Sequence, residues 1–104
     1  MKPGTLIGSE DCLFLNVFAP AQIAPGADLP VMVFIHGGGN TQGSALPYDG
    51  STFVQEQGVI MVTIQYRLGP LGWFSHRALR EAGSTPEDRS GNFALLDMVA
   101  ALQW

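Results

Sequence analysis

Basic residues are scarce in this chain. Its 104 residues include five Lys and Arg against nine Asp and Glu, for a formal net charge of −4. The basic residues are scattered, at Lys2, Arg67, Arg77, Arg80 and Arg89. Nucleic-acid-binding proteins carry a basic patch or stripe, so this class of partner is excluded. Charged residues make up 13% of the chain, about half of the roughly 25% of typical soluble domains, which predicts surfaces that further chain covers.

Cysteine and long apolar runs are scarce as well. Cys12 is the single cysteine, so an internal disulfide is impossible; it is either a small buried apolar side chain or half of a bond to a cysteine outside this chain. No apolar run approaches the roughly 18 residues of a membrane-spanning helix. Residues 1–8 lack both the basic cluster and the apolar core of a signal peptide, and the compartment stays open between cytoplasmic and secreted.

The most informative segment is the run from Pro30 to Gly39, P-V-M-V-F-I-H-G-G-G. Its five apolar residues, 31–35, predict a strand buried on both faces, because such strands are continuously apolar rather than alternating. The glycines after His36 let backbone N–H groups approach an anion with no Cβ in the way. H-G-G-G after a strand forms part of the oxyanion hole in lipases and esterases, so this run points to ester hydrolysis.

The other half of that chemistry is missing from the 104 residues. Such a hydrolase needs a nucleophilic serine on a sharp G-x-S-x-G turn. No serine of the chain has that setting; the six are Ser9, Ser44, Ser51, Ser75, Ser84 and Ser90. The isolated chain is therefore expected to be inactive, since without nucleophile and base only part of an oxyanion hole remains.

Strand and helix signals alternate along the chain. Strands are predicted over residues 13–18, 31–35 and 59–66. Helices are predicted over residues 51–57, 75–82 and from 93 to the end. Asp49 or Ser51 is expected to cap the first helix and Gly58 to end it. Asn92 is expected to cap the last helix, whose frequent apolar residues predict burial on a broad face. Strand, helix, strand predicts a parallel pair in an α/β layered architecture.

Five blocks of the sequence resemble one family. Residues 9–17, S-E-D-C-L-F-L-N-V, closely resemble the E-D-C-L-x-L-N-V signature of the type-B carboxylesterase and cholinesterase family. Four further blocks follow in the family's order, at residues 30–39, 48–51, 64–72 and 91–97. The hormone-sensitive-lipase group shares H-G-G-G and Tyr-Arg-Leu but lacks the Glu-Asp-Cys block, so the type-B family is the better match.

This resemblance implies a partial α/β-hydrolase fold: a mostly parallel sheet with flanking helices, truncated at the C-terminal side. Residues 1–104 are then one partial domain, and residues 1–7 are expected to be poorly structured. The catalytic serine, its acid partner and the catalytic histidine are expected after Trp104. Neither His36 nor His76 is therefore a candidate for the catalytic base, and His76 is expected to be solvated in a polar loop.

The resemblance also implies roles around the glycine run. Gly38 and Gly39 supply two N–H donors of the oxyanion hole, while Gly37 permits the turn and His36 shapes it. Asn40 stands where the family usually has an aromatic residue. It either lines the substrate pocket, which would alter substrate preference, or adopts the left-handed conformation that Asn tolerates and reshapes the loop. No cofactor and no metal are implied.

Three charged residues are implied to be structural. Arg67 and Asp97 are expected to form a buried salt bridge that joins the end of the 59–66 strand to the last helix. Glu10 is expected to pair with an arginine upstream of this chain.

Two functions of different classes fit the resemblance. The first is a serine carboxylesterase that acts by an acyl-enzyme route on a small-molecule carboxylic ester, with the remainder of the same hydrolase domain as structural partner. The alternative is a non-catalytic, neuroligin-like adhesion domain that keeps these blocks, or an inactive short product. The intact glycines 37–39 favour the enzyme.

Overall fold

A computed structural model describes residues 9–104; the expectation for residues 1–7 lies outside the described residues. The elements of this part of the chain are β1 (Leu15–Phe18), β2 (Val31–Ile35), α1 (Ser51–Gln57), β3 (Ile60–Ile64), α2 (Gly69–Gly72), α3 (Arg77–Ala82) and α4 (Phe93–Gln103). No helix in this part of the chain is long and apolar enough to cross a membrane.

The three strands form one sheet in the order β1-β3-β2, with β3 in the centre. β2 and β3 are parallel, and Val33 lies opposite Val62 in their register. This is the parallel pair that the strand–helix–strand pattern predicts, with α1 as the crossover. β1 is antiparallel to β3, with Val17 opposite Val62, so one of the two strand pairs in the described residues is parallel.

Helix α1 begins and ends as local sequence predicts, with one difference at its start. Gly58 adopts φ +64° and donates its N–H to the Val54 carbonyl, which ends the helix as predicted. The N-cap position is Gly50, rather than Asp49 or Ser51, and no side chain caps it. Asp49 acts just before the cap instead: its Oδ1 accepts the N–H and the hydroxyl of Ser51.

The helices after β3 differ more from the prediction. The sequence predicts no helix over residues 69–72, but α2 forms one turn there, in contact with α4. α3 starts two residues later than predicted, because His76 is its N-cap and accepts the Ala78 N–H at Nδ1 (3.2 Å). His76 is exposed, yet it has this capping role in addition to being solvated. Asn92 is the N-cap residue of α4 without a side-chain capping bond.

Burial is concentrated on β3. Its Thr63 and Ile64 are fully buried together with Val54 of α1. The prediction that β2 is buried on both faces is wrong for these residues: Val31 is 59% exposed and Ile35 45%. The reason is that, among residues 9–104, β2 makes its extensive contacts with β3 beside it in the sheet, and no helix packs extensively on its faces. Likewise α4 buries only Ala94 and Asp97 here, rather than a broad apolar face.

Candidate functional site

The glycine run lies at the carboxyl end of the parallel strand pair. Ile35 ends β2 opposite Ile64, which ends β3, so the residues that follow each strand leave the sheet side by side. In open α/β sheets, ligands bind outside the carboxyl ends of the strands. The glycine turn that follows His36 therefore occupies the edge of the sheet where a binding site is expected.

Gly38 has a conformation that only glycine can hold here. Its φ is +128°, and a Cβ at this position would lie 1.8 Å from the Gln42 carbonyl oxygen. The Gly38 carbonyl accepts the N–H groups of Thr41 (3.2 Å) and Gln42 (3.3 Å) and the Thr41 hydroxyl (3.2 Å). These bonds close a tight turn directly after Gly38.

The N–H groups of Gly38 and Gly39 are free donors within this turn. Among residues 9–104, no acceptor receives a hydrogen bond from either of them. Gly38 is half-buried and Gly39 is exposed. Backbone N–H groups held in this way can bind a carboxylate, a phosphate or a developing oxyanion without reorganising. The same part of the chain has no group of three or more His, Cys, Asp and Glu that could hold a metal ion.

Asn40 continues the turn in the left-handed conformation, with φ +62°. Asn tolerates this conformation better than most residues, so the conformational alternative offered by the sequence is present in the structure. The Asn40 carbonyl accepts the N–H of Gly69 at 2.6 Å, which ties the turn to the start of α2. The side chain is exposed, and a role in lining a substrate pocket stays a prediction.

His36 is buried behind the glycines, at 2% exposure. Its Nδ1 lies 2.9 Å from the Gly37 carbonyl oxygen; because a carbonyl only accepts, Nδ1 carries the hydrogen of this bond. Gly43 allows the ring to sit there, since a Cβ on Gly43 would lie 2.9 Å from Nδ1. The ring stacks on Tyr66, with centroids 4.5 Å apart. The contact with the Gly37 carbonyl is consistent with the loop-shaping role that the resemblance implied.

Arg67 and Asp97 connect the end of β3 to α4. Arg67 Nη2 lies 2.7 Å from Asp97 Oδ1, and Nε lies 2.8 Å from Oδ2. The same Oδ2 also accepts the backbone N–H of Arg67 at 3.0 Å, so three hydrogen bonds hold the carboxylate. The pair is asymmetric: the Asp97 side chain is 6% exposed and that of Arg67 is 38% exposed. Only the aspartate is therefore buried, whereas the resemblance implied a buried pair.

The environment of this pair shifts the pKa of both groups. Burial by itself would raise the pKa of Asp97, but the hydrogen bonds and the charge of Arg67 outweigh it, and the pKa lies below its ordinary value. The hydrogen bond to Asp97 raises the pKa of Arg67. Asp97 is thus held as a carboxylate.

Stability is expected to depend on pH through Asp97. Because its folded-state pKa is lowered from 3.8, its contribution is present above that value and is lost as the pH falls through the lowered pKa. In urea titrations of the whole protein, the free energy of unfolding of wild type and Asp97→Asn should differ by a constant amount from about pH 7 to about pH 5. The difference should shrink below pH 3.8. A difference that does not change down to the acid transition would contradict this assignment.

Two residues singled out from the sequence lie away from this site. Glu10 is exposed and forms no ion pair with a residue of the described part of the chain; its pairing with an arginine stays a prediction. His76 lies at the start of α3 and stacks on Phe74, with ring centroids 6.1 Å apart. Within residues 9–104, neither side chain forms a hydrogen bond or salt bridge with the glycine turn.

Sequence reasoning missed residues that support the turn from the next strand. Gln65 Oε1 accepts the N–H of Ala45 (3.2 Å), and the Tyr66 hydroxyl donates to the His36 carbonyl (2.6 Å). The predicted 59–66 strand includes Gln65 and Tyr66 at its carboxyl end, whereas β3 ends at Ile64 and leaves them beyond the strand. The partners of their side chains could not be predicted, since these contacts join positions 20 and 30 residues apart.

Known proteins match this chain in both sequence and fold. The family model described as "Carboxylesterase family" matches residues 1–104. The chain belongs to the carboxylesterase family. Cocaine esterase of Oryctolagus cuniculus is 50% identical over 102 residues, which cover 98% of this chain and 18% of that protein. Fumonisin B1 esterase of Sphingopyxis macrogoltabida is 50% identical over 98 residues, which cover 92% of this chain and 17% of that protein.

Solved structures agree with this carboxylesterase-family assignment. A PNB esterase structure superposes with a TM-score of 0.76 at 44% identity, over 98% of this chain and 21% of that one. The structure of Aspergillus niger EstA gives a TM-score of 0.75 at 39% identity, over 92% of this chain and 18% of that one. The expected partial α/β-hydrolase fold is confirmed. The chain spans about a fifth or less of the relatives it matches.

Proposed function

We propose that the whole protein is a carboxylic ester hydrolase that uses a serine nucleophile and an acyl-enzyme intermediate. In this proposal the N–H groups of Gly38 and Gly39 are two donors of its oxyanion hole. The observation that carries the proposal is the glycine turn at the carboxyl end of β2, where the N–H groups of Gly38 and Gly39 are free while the carbonyls of Gly37 and Gly38 are hydrogen-bonded. Membership of the carboxylesterase family supports the reaction class.

The chemistry of these donors follows from where charge develops. When a serine attacks an ester carbonyl, the carbonyl oxygen becomes an oxyanion in the tetrahedral intermediate. Preorganised N–H dipoles at about 2.7–3.1 Å stabilise that charge, each by roughly 3–4 kcal/mol of barrier. A further donor comes from the residue after the nucleophile in hydrolases of this type. The nucleophile, the acid and the base belong, in this proposal, to the rest of the protein.

The substrate class is a small-molecule carboxylic ester. Three similar proteins are named cocaine esterase, fumonisin B1 esterase and PNB esterase. The three names give different substrates, and all three describe cleavage of an ester bond. Within this chain, Asn40 follows the two donors directly, and we propose that it influences substrate preference through the shape of the turn. No step requires a cofactor.

The test is labelling of the whole protein by a fluorophosphonate probe, measured by intact mass together with hydrolysis of p-nitrophenyl butyrate. The expected result is one probe adduct per chain and loss of hydrolysis on labelling. Heat-denatured protein is the control, because a denatured serine is not activated. A folded whole protein that neither labels nor hydrolyses the ester would contradict the proposal and favour the neuroligin-like adhesion domain.

A further inference from the structure

Three successive peptide groups of the glycine turn are held through their carbonyl oxygens. The His36 carbonyl accepts the Tyr66 hydroxyl at 2.6 Å. The Gly37 carbonyl accepts from His36 Nδ1 at 2.9 Å. The Gly38 carbonyl accepts from Thr41 and Gln42, at 3.2 and 3.3 Å.

Holding a carbonyl also orients the N–H of the same peptide group. The peptide unit is planar and trans, so its C=O and N–H point in opposite directions. The bond from His36 to the Gly37 carbonyl therefore orients the N–H of Gly38, and the bonds to the Gly38 carbonyl orient the N–H of Gly39. The His36 ring thus bonds the same peptide group that carries the first proposed oxyanion donor, the N–H of Gly38.

Tyr66 holds His36 in two ways. Its hydroxyl bonds the His36 backbone, and its ring stacks on the imidazole at 4.5 Å and 20° between ring planes. Both residues are buried, at 5% and 2% exposure, so water does not compete for this short bond. Tyr66 is the second residue after β3, and its neighbour Arg67 is bonded to Asp97 of α4, which anchors this part of the backbone.

We infer that Tyr66 is a positioning residue: through His36 it aims the N–H of Gly38 at the reacting carbonyl oxygen. This inference rests on the proposed function and extends it to a residue outside the glycine turn. Without the Tyr66 hydroxyl, the His36–Gly37 peptide group loses its hydrogen-bond partner, and the N–H of Gly38 is no longer held in one direction. Binding of the ground-state ester does not depend on the direction of this N–H, whereas stabilisation of the tetrahedral intermediate does.

Tyr66→Phe in the whole protein tests the inference, because it removes the hydroxyl and keeps the stacked ring. We expect kcat to fall about 10- to 100-fold with KM nearly unchanged, since a displacement of about 1 Å can cost about 10²-fold. Hydrogen exchange of the 36–45 segment, followed by mass spectrometry, should become faster in this variant.

Tyr48→Phe is the matched control. Tyr48 is 44% exposed, and its ring packs on Phe34 in a tilted contact with centroids 4.5 Å apart and 47° between the ring planes. Its hydroxyl has no hydrogen-bond partner within residues 9–104. This control should leave kcat and the exchange of the 36–45 segment unchanged. Equal effects of the two substitutions, or unchanged kcat and unchanged exchange in Tyr66→Phe, would overturn the inference.

A second variant and the wild-type activity separate failure of this inference from misfolding and from failure of the proposed function. If Tyr66→Phe does not fold, 4-aminophenylalanine at position 66 retains a donor weaker than the hydroxyl. Its kcat should then lie below the wild-type value by less than about 10-fold, with KM unchanged, and exchange of the 36–45 segment should become faster. Wild-type kcat together with wild-type exchange would overturn the inference. If wild type neither labels with the fluorophosphonate nor hydrolyses the ester, the proposed function fails. The exchange comparison then decides alone whether Tyr66 holds the turn.

Discussion

Gly38→Ala in the whole protein is expected to lower kcat for p-nitrophenyl butyrate by about 10²- to 10³-fold, the effect of losing one oxyanion donor. A Cβ at this position would lie 1.8 Å from the Gln42 carbonyl oxygen, and the residue has φ +128°. The close atom belongs to the backbone, so the turn itself has to move. That movement displaces the N–H groups of Gly38 and Gly39 from the place where the oxyanion forms, while KM should change little.

Gly58→Ala is the control for this prediction. Gly58 also has a positive φ, +64°, but nothing lies within 4 Å of a Cβ there, and it ends α1 rather than forming part of the turn. It should lower stability by about 1 kcal/mol, the cost of a left-handed non-glycine residue, and leave kcat unchanged. If Gly38→Ala retains wild-type kcat, or if both variants lose activity equally, the turn does not position catalytic donors.

Arg67→Ala is expected to lower the free energy of unfolding by roughly 3 kcal/mol, toward the low end of the range for breaking a buried pair. Its removal leaves the Asp97 carboxylate, 6% exposed, without the guanidinium that bonds both of its oxygens. The value lies at the low end because the Arg67 side chain is 38% exposed and water screens part of the interaction. Urea denaturation of the whole protein measures the change.

The exposure of the two partners predicts an order among variants. Asp97→Asn should cost less, about 1 kcal/mol, because the amide oxygen still accepts from Arg67 and the guanidinium reaches water. Arg77→Ala is the surface control: Arg77 and Glu81 form an i,i+4 pair at 2.6 Å with side chains 83% and 63% exposed, and its loss should cost less than about 0.5 kcal/mol. Soluble Arg67→Ala of normal stability but low turnover would instead assign Arg67 to the chemistry.

Local signals predicted much of this fold. The continuous apolar run 31–35 and the glycine after Gln57 identified β2 and the end of α1 to the residue, because both depend on side chains within one element. Three consecutive glycines after a strand likewise predicted a turn at this position, and the turn is present; its role as an anion site stays a prediction. The parallel pairing of β2 and β3 followed from their order and spacing.

Features that depend on distant contacts were not predictable in this way. α2 contains two glycines and a proline, which are poor helix formers, and it contacts α4. The sequence placed Tyr66 within the 64–72 block but did not predict that its hydroxyl bonds the His36 carbonyl. The burial of β2 and α4 within residues 9–104 was overestimated for a related reason. A hydrophobic pattern indicates that a face is to be covered, but not which residues cover it.

The central claim is that the N–H groups of Gly38 and Gly39 bind the oxyanion of a serine-catalysed ester hydrolysis. It is tested most directly by a crystal structure of the whole protein after reaction with an alkyl fluorophosphonate, whose phosphonyl oxygen takes the place of the oxyanion. The account predicts that this oxygen lies about 2.7–3.1 Å from both nitrogens, with the turn unchanged. A phosphonyl oxygen bound by other donors, with Gly38 and Gly39 turned away from it, would contradict the account.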